Sequence, residues 1–205
     1  PTRAFVPKPS SIDHVQAAAI PLVALTAWQS LVDTAQLQAG QRVLIHAAAG
    51  GVGHVAVQIA KARGAHVIAT ASSPKHDFVR GLGADEVIDY REVQNVDVVL
   101  DTIGGDYQLR SLRTLRSGGM LVSTVPLPAE GLFEEAGRRR VRTELILVEA
   151  DQAGMQSITE LMQAGKLQAE VAEIFPLEQA AKAHEAGETN RTMGKLVLTV
   201  DELRS

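Results

Sequence analysis

Short apolar runs alternate with segments of helical apolar spacing along most of the chain. Arg42–His46 (RVLIH) is a short strand-like run that ends at a glycine cluster. Val52–Arg63 follows, with Val52, Val55, Ala56, Ile59 and Ala60 on one helical face and Gly64 as its stop signal. His66–Thr70 (HVIAT) is the next strand, and Pro74–Leu82 a short helix with proline in its first turn, ending at Gly83. Glu86–Asp89, Val96–Leu100 and Met120–Thr124 read as further strands, with a helix over Tyr107–Leu115 between the last two. Glu144–Val148 (ELILV) gives a sixth strand, and a helix over 152–163 follows it. Strands that alternate with helices in this way predict an α/β, doubly wound parallel sheet with right-handed crossovers.

Both ends fit this rhythm less well. Phe5–Pro9 (FVPKP) is extended and proline-rich, and Ile12–Ala35 is helical and alanine-rich with a break at Pro21. Asp13 suits the amino-terminal position of that helix. The tail predicts a helix over Leu177–Ala186 and a strand over Lys195–Val200 after Gly194. These pieces lie outside the six strands and need another sheet to join. The expected division is 1–25, 26–164 for the sheet domain, and 165–205.

Bulk chemistry narrows the partners. A net charge of −4 gives no reason to expect nucleic acid or an acidic membrane surface. No run of 18 or more apolar residues predicts a transmembrane helix, and the amino end lacks a signal-peptide pattern. With zero cysteines, disulfides, thiolate catalysis and Cys-based zinc sites are excluded, and no metal ligand set is assigned. A cytoplasmic setting fits. The first residue is Pro1, read as the start of a fragment or a processed product.

The glycine cluster carries the chemistry. Directly after the first strand stands Ala47-Ala48-Ala49-Gly50-Gly51-Val52-Gly53. In a dinucleotide fingerprint one glycine lets the backbone approach a pyrophosphate and the next allows close helix–strand contact. Gly50 and Gly53 occupy those places, and Ala48 stands where the first glycine would be. The helix that begins here aims unpaired N–H groups and its positive dipole end at the phosphates. Cofactor contacts are therefore expected at Ala49, Gly50, Gly51, Val52 and Gly53, in a sheet of strand order 3-2-1-4-5-6. A glycine turn used only for its conformation is the plain alternative. His54, in the first helical turn, reads as a solvated residue, with a phosphate contact as its functional alternative.

An NAD-specific site places a carboxylate about 20 residues past the glycines, at the end of the second strand. Ser72 stands 19 residues past Gly53, in Thr70-Ala71-Ser72-Ser73-Pro74-Lys75. Two hydroxyls and a lysine in place of an acid favour an anionic 2′-phosphate, so Ser72, Ser73 and Lys75 point to NADP. Helix capping by the two serines is the alternative, but it does not explain the missing acid.

Taken together, AAAGGVGHVAVQIAKARGAHVIATASSPK, GLGADEVIDYRE and VDVVLDTIGG resemble the coenzyme-binding region of medium-chain dehydrogenases/reductases. The similarity is strongest to the zinc-independent quinone oxidoreductase branch, whose loop reads A-x-x-G-x-x-G. It extends upstream through Leu25-Thr26-Ala27-Trp28, and downstream through Ile174–Ala180 and Arg191–Leu198. The resemblance implies that Thr26 lies near the nicotinamide, that Lys75 and Tyr90 hold the 2′-phosphate, and that Arg191 joins them. It also implies that Thr102, Ile103 and Val125 belong to the lips of the crevice beyond the strand ends. The two flanks would be remnants of a second, β-rich catalytic domain, most of it lying before Pro1, and the strand at 144–148 would pair across a dimer axis to make a homodimer.

The function so implied is hydride transfer from NADPH to a small-molecule quinone or α,β-unsaturated carbonyl. No His, Lys or Tyr has the spacing of an acid or base, so no catalytic residue is assigned. Two alternatives stand beside it: the enoyl reductase unit of a polyketide or fatty-acid synthase, and a non-catalytic NADPH-binding module. Arg138–Arg142 reads as a solvated basic loop and His184 as structural.

Overall fold

The computed structural model describes residues 5–88, 93–189 and 191–200. Six strands form one parallel sheet: β1 (Arg42–Ile45), β2 (His66–Thr70), β3 (Glu86–Ile88), β4 (Val96–Asp101), β5 (Leu115–Ser123) and β6 (Arg142–Leu145). Their order is β3-β2-β1-β4-β5-β6, as expected from the glycine fingerprint. The central strands are apolar on both sides because helices cover both faces. Val43 and Ile45 of β1 face one core with Val67, Val98 and Leu100, while Leu44 faces the other with Ile68, Val99 and Leu121. Each fully buried Leu or Ile of this kind stabilises the fold by about 1.5–3 kcal/mol.

Helices α1 (His14–Ala19), α2 (Pro21–Trp28), α3 (Gly53–Ala62), α4 (His76–Gly81) and α7 (Gln152–Gln163) contribute to the first core, and α5 (Asp106–Leu112) and α6 (Leu132–Arg139) to the second. Pro21 takes the first position of α2, where its missing N–H costs nothing. Asp13 caps α1 by accepting from Gln16 N at 2.7 Å. A π-helical turn, Gln29–Thr34, continues α2.

Several sequence expectations are corrected. Arg138–Arg142 is not a loop. Arg138 and Arg139 end α6, Arg140 closes it in the left-handed conformation (φ 57°), and Arg142 opens β6. The i,i+4 pairs Glu134–Arg138 and Glu135–Arg139 support this polar helix, which buries Leu132 and Ala136 but has too few apolar positions to stand out. The sixth strand spans Arg142–Leu145 rather than Glu144–Val148, because pairing with Met120–Ser123 selects that register. β5 begins at Leu115, earlier than expected, and the register jumps from Val96↔Leu115 to Val98↔Met120 across Ser117-Gly118-Gly119. The helix between β4 and β5, α5, accordingly stops at Leu112.

The tail pieces lie outside the six-stranded sheet, as expected, in a separate two-stranded one. β7 (Val171–Pro176), unforeseen in the sequence pattern, pairs in parallel with β8 (Lys195–Thr199), and α8 (Ala180–Glu188) connects them. β7 escapes a periodicity reading because it is mostly exposed and only Phe175 is buried.

Candidate functional site

Three strands deliver their carboxyl ends to one crevice. After β1 the chain turns at Ala47, a non-glycine residue with φ 47°. Gly50 N then closes the turn onto Ala47 O at 2.8 Å. Gly53 opens α3 with no room for a side chain: a Cβ there would lie 2.3 Å from Ala47 O and 2.7 Å from Ala48 Cα, both backbone atoms. No side chain caps the start of α3, where a helix offers N–H groups to an anion, and within its first turn His54 N already donates to Gly50 O at 3.0 Å.

A buried polar chain holds this turn from below. Ala47 N donates to Thr70 Oγ1 at 3.3 Å, and the Thr70 hydroxyl donates to His46 Nδ1 at 3.3 Å. His46 Nε2–H donates to Ser111 Oγ at 2.9 Å, and Ser111 donates to Tyr107 O at 2.6 Å. The carbonyl at the end can only accept, which fixes the direction of every earlier bond. His46 is fully buried, and burial, assisted by Arg110, pushes its pKa down to about 4 against the opposing pull of Asp101. Asp101, also fully buried, accepts from Ile103 N, Gly104 N and the Ser123 hydroxyl, and so fixes the turn after β4. Thr102 is tied to β1 by donating to His46 O at 3.1 Å.

Two clefts share this floor. The first, of about 650 Å³, brings together Ala49, Gly50, Gly51, Ser72, Lys75, Thr102 and Ile103 from the expected set. The second, of about 440 Å³, brings together Thr26, Gly50, Gly51, Val52, Gly53 and Thr102. Ser72 starts the turn into α4 without a side-chain cap bond, and Lys75 Nζ touches Thr192 O at 3.4 Å. Thr26 lines the second cleft and donates its hydroxyl hydrogen to Leu22 O at 2.7 Å, which leaves its oxygen free only to accept. Among the described residues the ionisable groups lining the two clefts are Lys75 and Lys195, both cationic.

Ser73 and Val125 are not among the lining residues: Ser73 is exposed beside Ser72, and Val125 packs where a Cβ on Gly104 would come within 2.7 Å. Arg191 is exposed and also outside both linings, its N–H donating to Thr189 Oγ1. Tyr90 lies outside the described residues. Sequence reasoning missed Lys195, Thr192 and Gly194, which reach the clefts from the tail. It also missed Ile146, Leu147 and Val148 past the end of β6. A glycine–lysine pair opening an apolar strand was the available signal for the first group. His54 is not solvated but fully buried behind the glycine loop, and His184 is exposed at the rim of a third cleft between α8 and β8.

Among the described residues no three His, Cys, Asp or Glu side chains converge as a metal would need, so the residues present do not form a zinc site. No helix among them is long and apolar enough to cross a membrane.

Comparison with known proteins agrees with this architecture. A family model described as zinc-binding dehydrogenase matches residues 82–198. The quinone oxidoreductase of Coxiella burnetii superposes with a TM-score of 0.89 at 36% identity, over 96% of this chain and 64% of that one. The mitochondrial NAD(P)H oxidoreductase RTN4IP1 of Danio rerio is 33% identical over 95% of this chain and 59% of its own length. The spectinabilin polyketide synthase system protein NorB of Streptomyces orinoci is 38% identical over 97% of this chain and 10% of its own. The chain thus spans less than two thirds of each of these relatives. With its strand order, its glycine loop and these likenesses, it belongs to the medium-chain dehydrogenase/reductase superfamily, among the quinone oxidoreductase-like members.

Proposed function

We propose that the chain is the NADPH-binding part of a zinc-independent oxidoreductase that delivers a hydride to a quinone or an α,β-unsaturated carbonyl. One observation carries the cofactor reading. The cleft beside the glycine loop is lined by Ser72 and Lys75 at its outer end and by no carboxylate among the described residues. An acid there would pair with a free ribose hydroxyl; a lysine and a hydroxyl suit a phosphate.

The chain's residues divide the work along the crevice. The backbone of Ala49–Gly53 and the open start of α3 receive the pyrophosphate, with Lys195 close enough to meet it from the tail: a Cβ on Gly51 would lie 3.1 Å from its Cδ. Thr26 offers its oxygen to an amide donor, and Val23, Ile146 and Val148 keep water from that end. When bound, the nicotinamide supplies the hydride. The flanks 1–25 and 165–205 would dock on a substrate domain, and the outer edge of β6, unpaired among the described residues, would join a second copy. The absence of cysteine suits the cytoplasm.

A second reading, the enoyl reductase unit of a synthase, is favoured by the 38% identity to NorB along almost the whole chain. It keeps the cofactor chemistry and changes the acceptor to an enoyl thioester; faster reduction of such a thioester than of a quinone would select it.

Fluorescence titration of this chain with NADPH and NADH at matched low salt tests the cofactor. Hydrogen bonds to a charged group contribute roughly 1.5–3 kcal/mol each, so NADPH should bind at least about tenfold tighter. That preference should vanish in Lys75→Ala. Equal affinity of the parent chain for both nucleotides would sink the NADP assignment.

A further inference from the structure

His54 is the one feature of the glycine loop that the binding of a dinucleotide does not by itself require. It sits in the first turn of α3 with its side chain fully buried. Its Nδ1 lies 2.9 Å from Gly50 O, and its Nε2 lies 3.1 Å from the backbone N of Glu170. The Glu170 N–H can only donate, so Nε2 is the acceptor and Nδ1–H is the donor to Gly50 O. One neutral tautomer therefore satisfies both contacts at once. Burial holds the imidazole below its ordinary pKa, and the charge of Lys195 acts in the same direction.

From Glu170 the bonds return to the loop by another route. Glu170 O accepts from Lys195 N at 2.8 Å, and Gly194 N donates to Ala49 O at 2.9 Å. Gly194 has φ 78°, and a Cβ on it would stand 2.3 Å from Glu170 O, so this crossing admits no larger residue. Gln58, one turn beyond His54, reinforces the same seam through paired bonds to the backbone of Gln168 at 3.0 Å each. The result is a closed circuit from Gly50 through His54, Glu170, Lys195 and Gly194 to Ala49. Two segments more than 100 residues apart are locked in one geometry, and both line the clefts.

We infer that His54 is a positioning residue that locks the glycine loop to the return segment at Glu170 and Gly194–Lys195, fixing the loop carbonyl of Gly50 and the approach of Lys195 to a bound dinucleotide. Its own side chain does not touch the ligand. This inference rests on the NADPH-binding reading for its consequence, but the circuit itself is independent of any ligand.

The test separates the two. His54→Phe fills the space without either bond, and His54→Gln retains an amide whose oxygen can accept from Glu170 N. NADPH affinity should fall about tenfold in His54→Phe, equivalent to ~1.4 kcal/mol, and recover at least in part in His54→Gln. Backbone amide exchange, measured without nucleotide, should quicken in His54→Phe at both Gly50–Gly51 and Gly194–Lys195, while the β4 and β5 amides stay protected. If the parent chain binds no NADPH, the cofactor reading fails and the exchange data alone decide the circuit. Unchanged exchange at both segments in His54→Phe overturns the inference, as does parent-like NADPH affinity in that variant. Should His54→Phe not fold, a His54→Gln chain with parent-like exchange supports the lock, and one with quickened exchange at only one of the two segments overturns it.

Discussion

The inner and outer ends of the crevice are built on opposite plans. At the inner end, the turn from Ala47 to Gly53 is held from below by the buried chain of Thr70, His46 and Ser111, and from behind by His54. At the outer end, Ser72 and Ser73 are exposed and, among the described residues, Lys75 makes one long contact, to Thr192 O. In the proposed binding mode the contrast separates two jobs. A pyrophosphate is met by backbone N–H groups, whose positions only a rigid frame can fix. A 2′-phosphate is met by side chains that carry charge and can move to it, so discrimination between nucleotides requires little scaffolding.

Gly53→Ala should have the largest effect on the rigid inner end. Its new methyl would collide with backbone atoms of Ala47 and Ala48 that cannot swing aside. We expect a loss of about 3 kcal/mol, seen as a fall in melting temperature of roughly 6–12 °C by circular dichroism. A fall under about 2 °C would mean the loop is not the rigid end of the crevice.

Acid should attack the inner end next. The folded pKa of His46 is depressed from 6.5 to about 4, mainly by burial. The unfolded state therefore takes up protons first as pH falls. The stability contributed by the neutral ring is complete above about pH 6.5 and is lost as pH drops through about 4. The full loss is roughly 3 kcal/mol. Urea denaturation across that window checks it, and His46→Phe should flatten the dependence in proportion. A slope unchanged in that variant would assign the acid sensitivity elsewhere.

Smallest is the structural cost of Lys75→Ala. A half-buried side chain with one long contact to a carbonyl among the described residues should leave unfolding stability within about 0.5 kcal/mol of the parent, even as the proposed preference for NADPH is lost. A larger drop would show that the outer end is also framework, and the two-plan picture would fall.

Most of the fold was legible because its signals are local. The glycine loop between a short apolar run and an amphipathic helix, the proline at the start of α2 and the stop at Gly64 each act within a few residues. α6 was hidden because a helix stabilised by Glu–Arg pairs has little apolar periodicity, and β7 because an exposed strand shows no alternation. Thr26, Ser72, Lys75 and the loop residues, expected from spacing or from resemblance, all line the two clefts. Lys195 and Gly194 reach the loop across more than 140 residues of chain, a distance no local pattern spans.

His54 marks the boundary most clearly. By sequence it is a polar residue in the first turn of a helix, where solvent exposure is the ordinary outcome. A tight strand-to-helix turn at 47–53 was legible in those few residues, because close backbone approach at Gly53 and a helix start without a side-chain cap are local properties, whereas the left-handed backbone at Ala47 is not what an alanine favours. That the imidazole behind the turn is buried and held below its ordinary pKa follows from tertiary packing alone. Its partner at Glu170 is brought there by the packing of the return segment against α3, and an acceptor for a distant N–H exists only once the two meet.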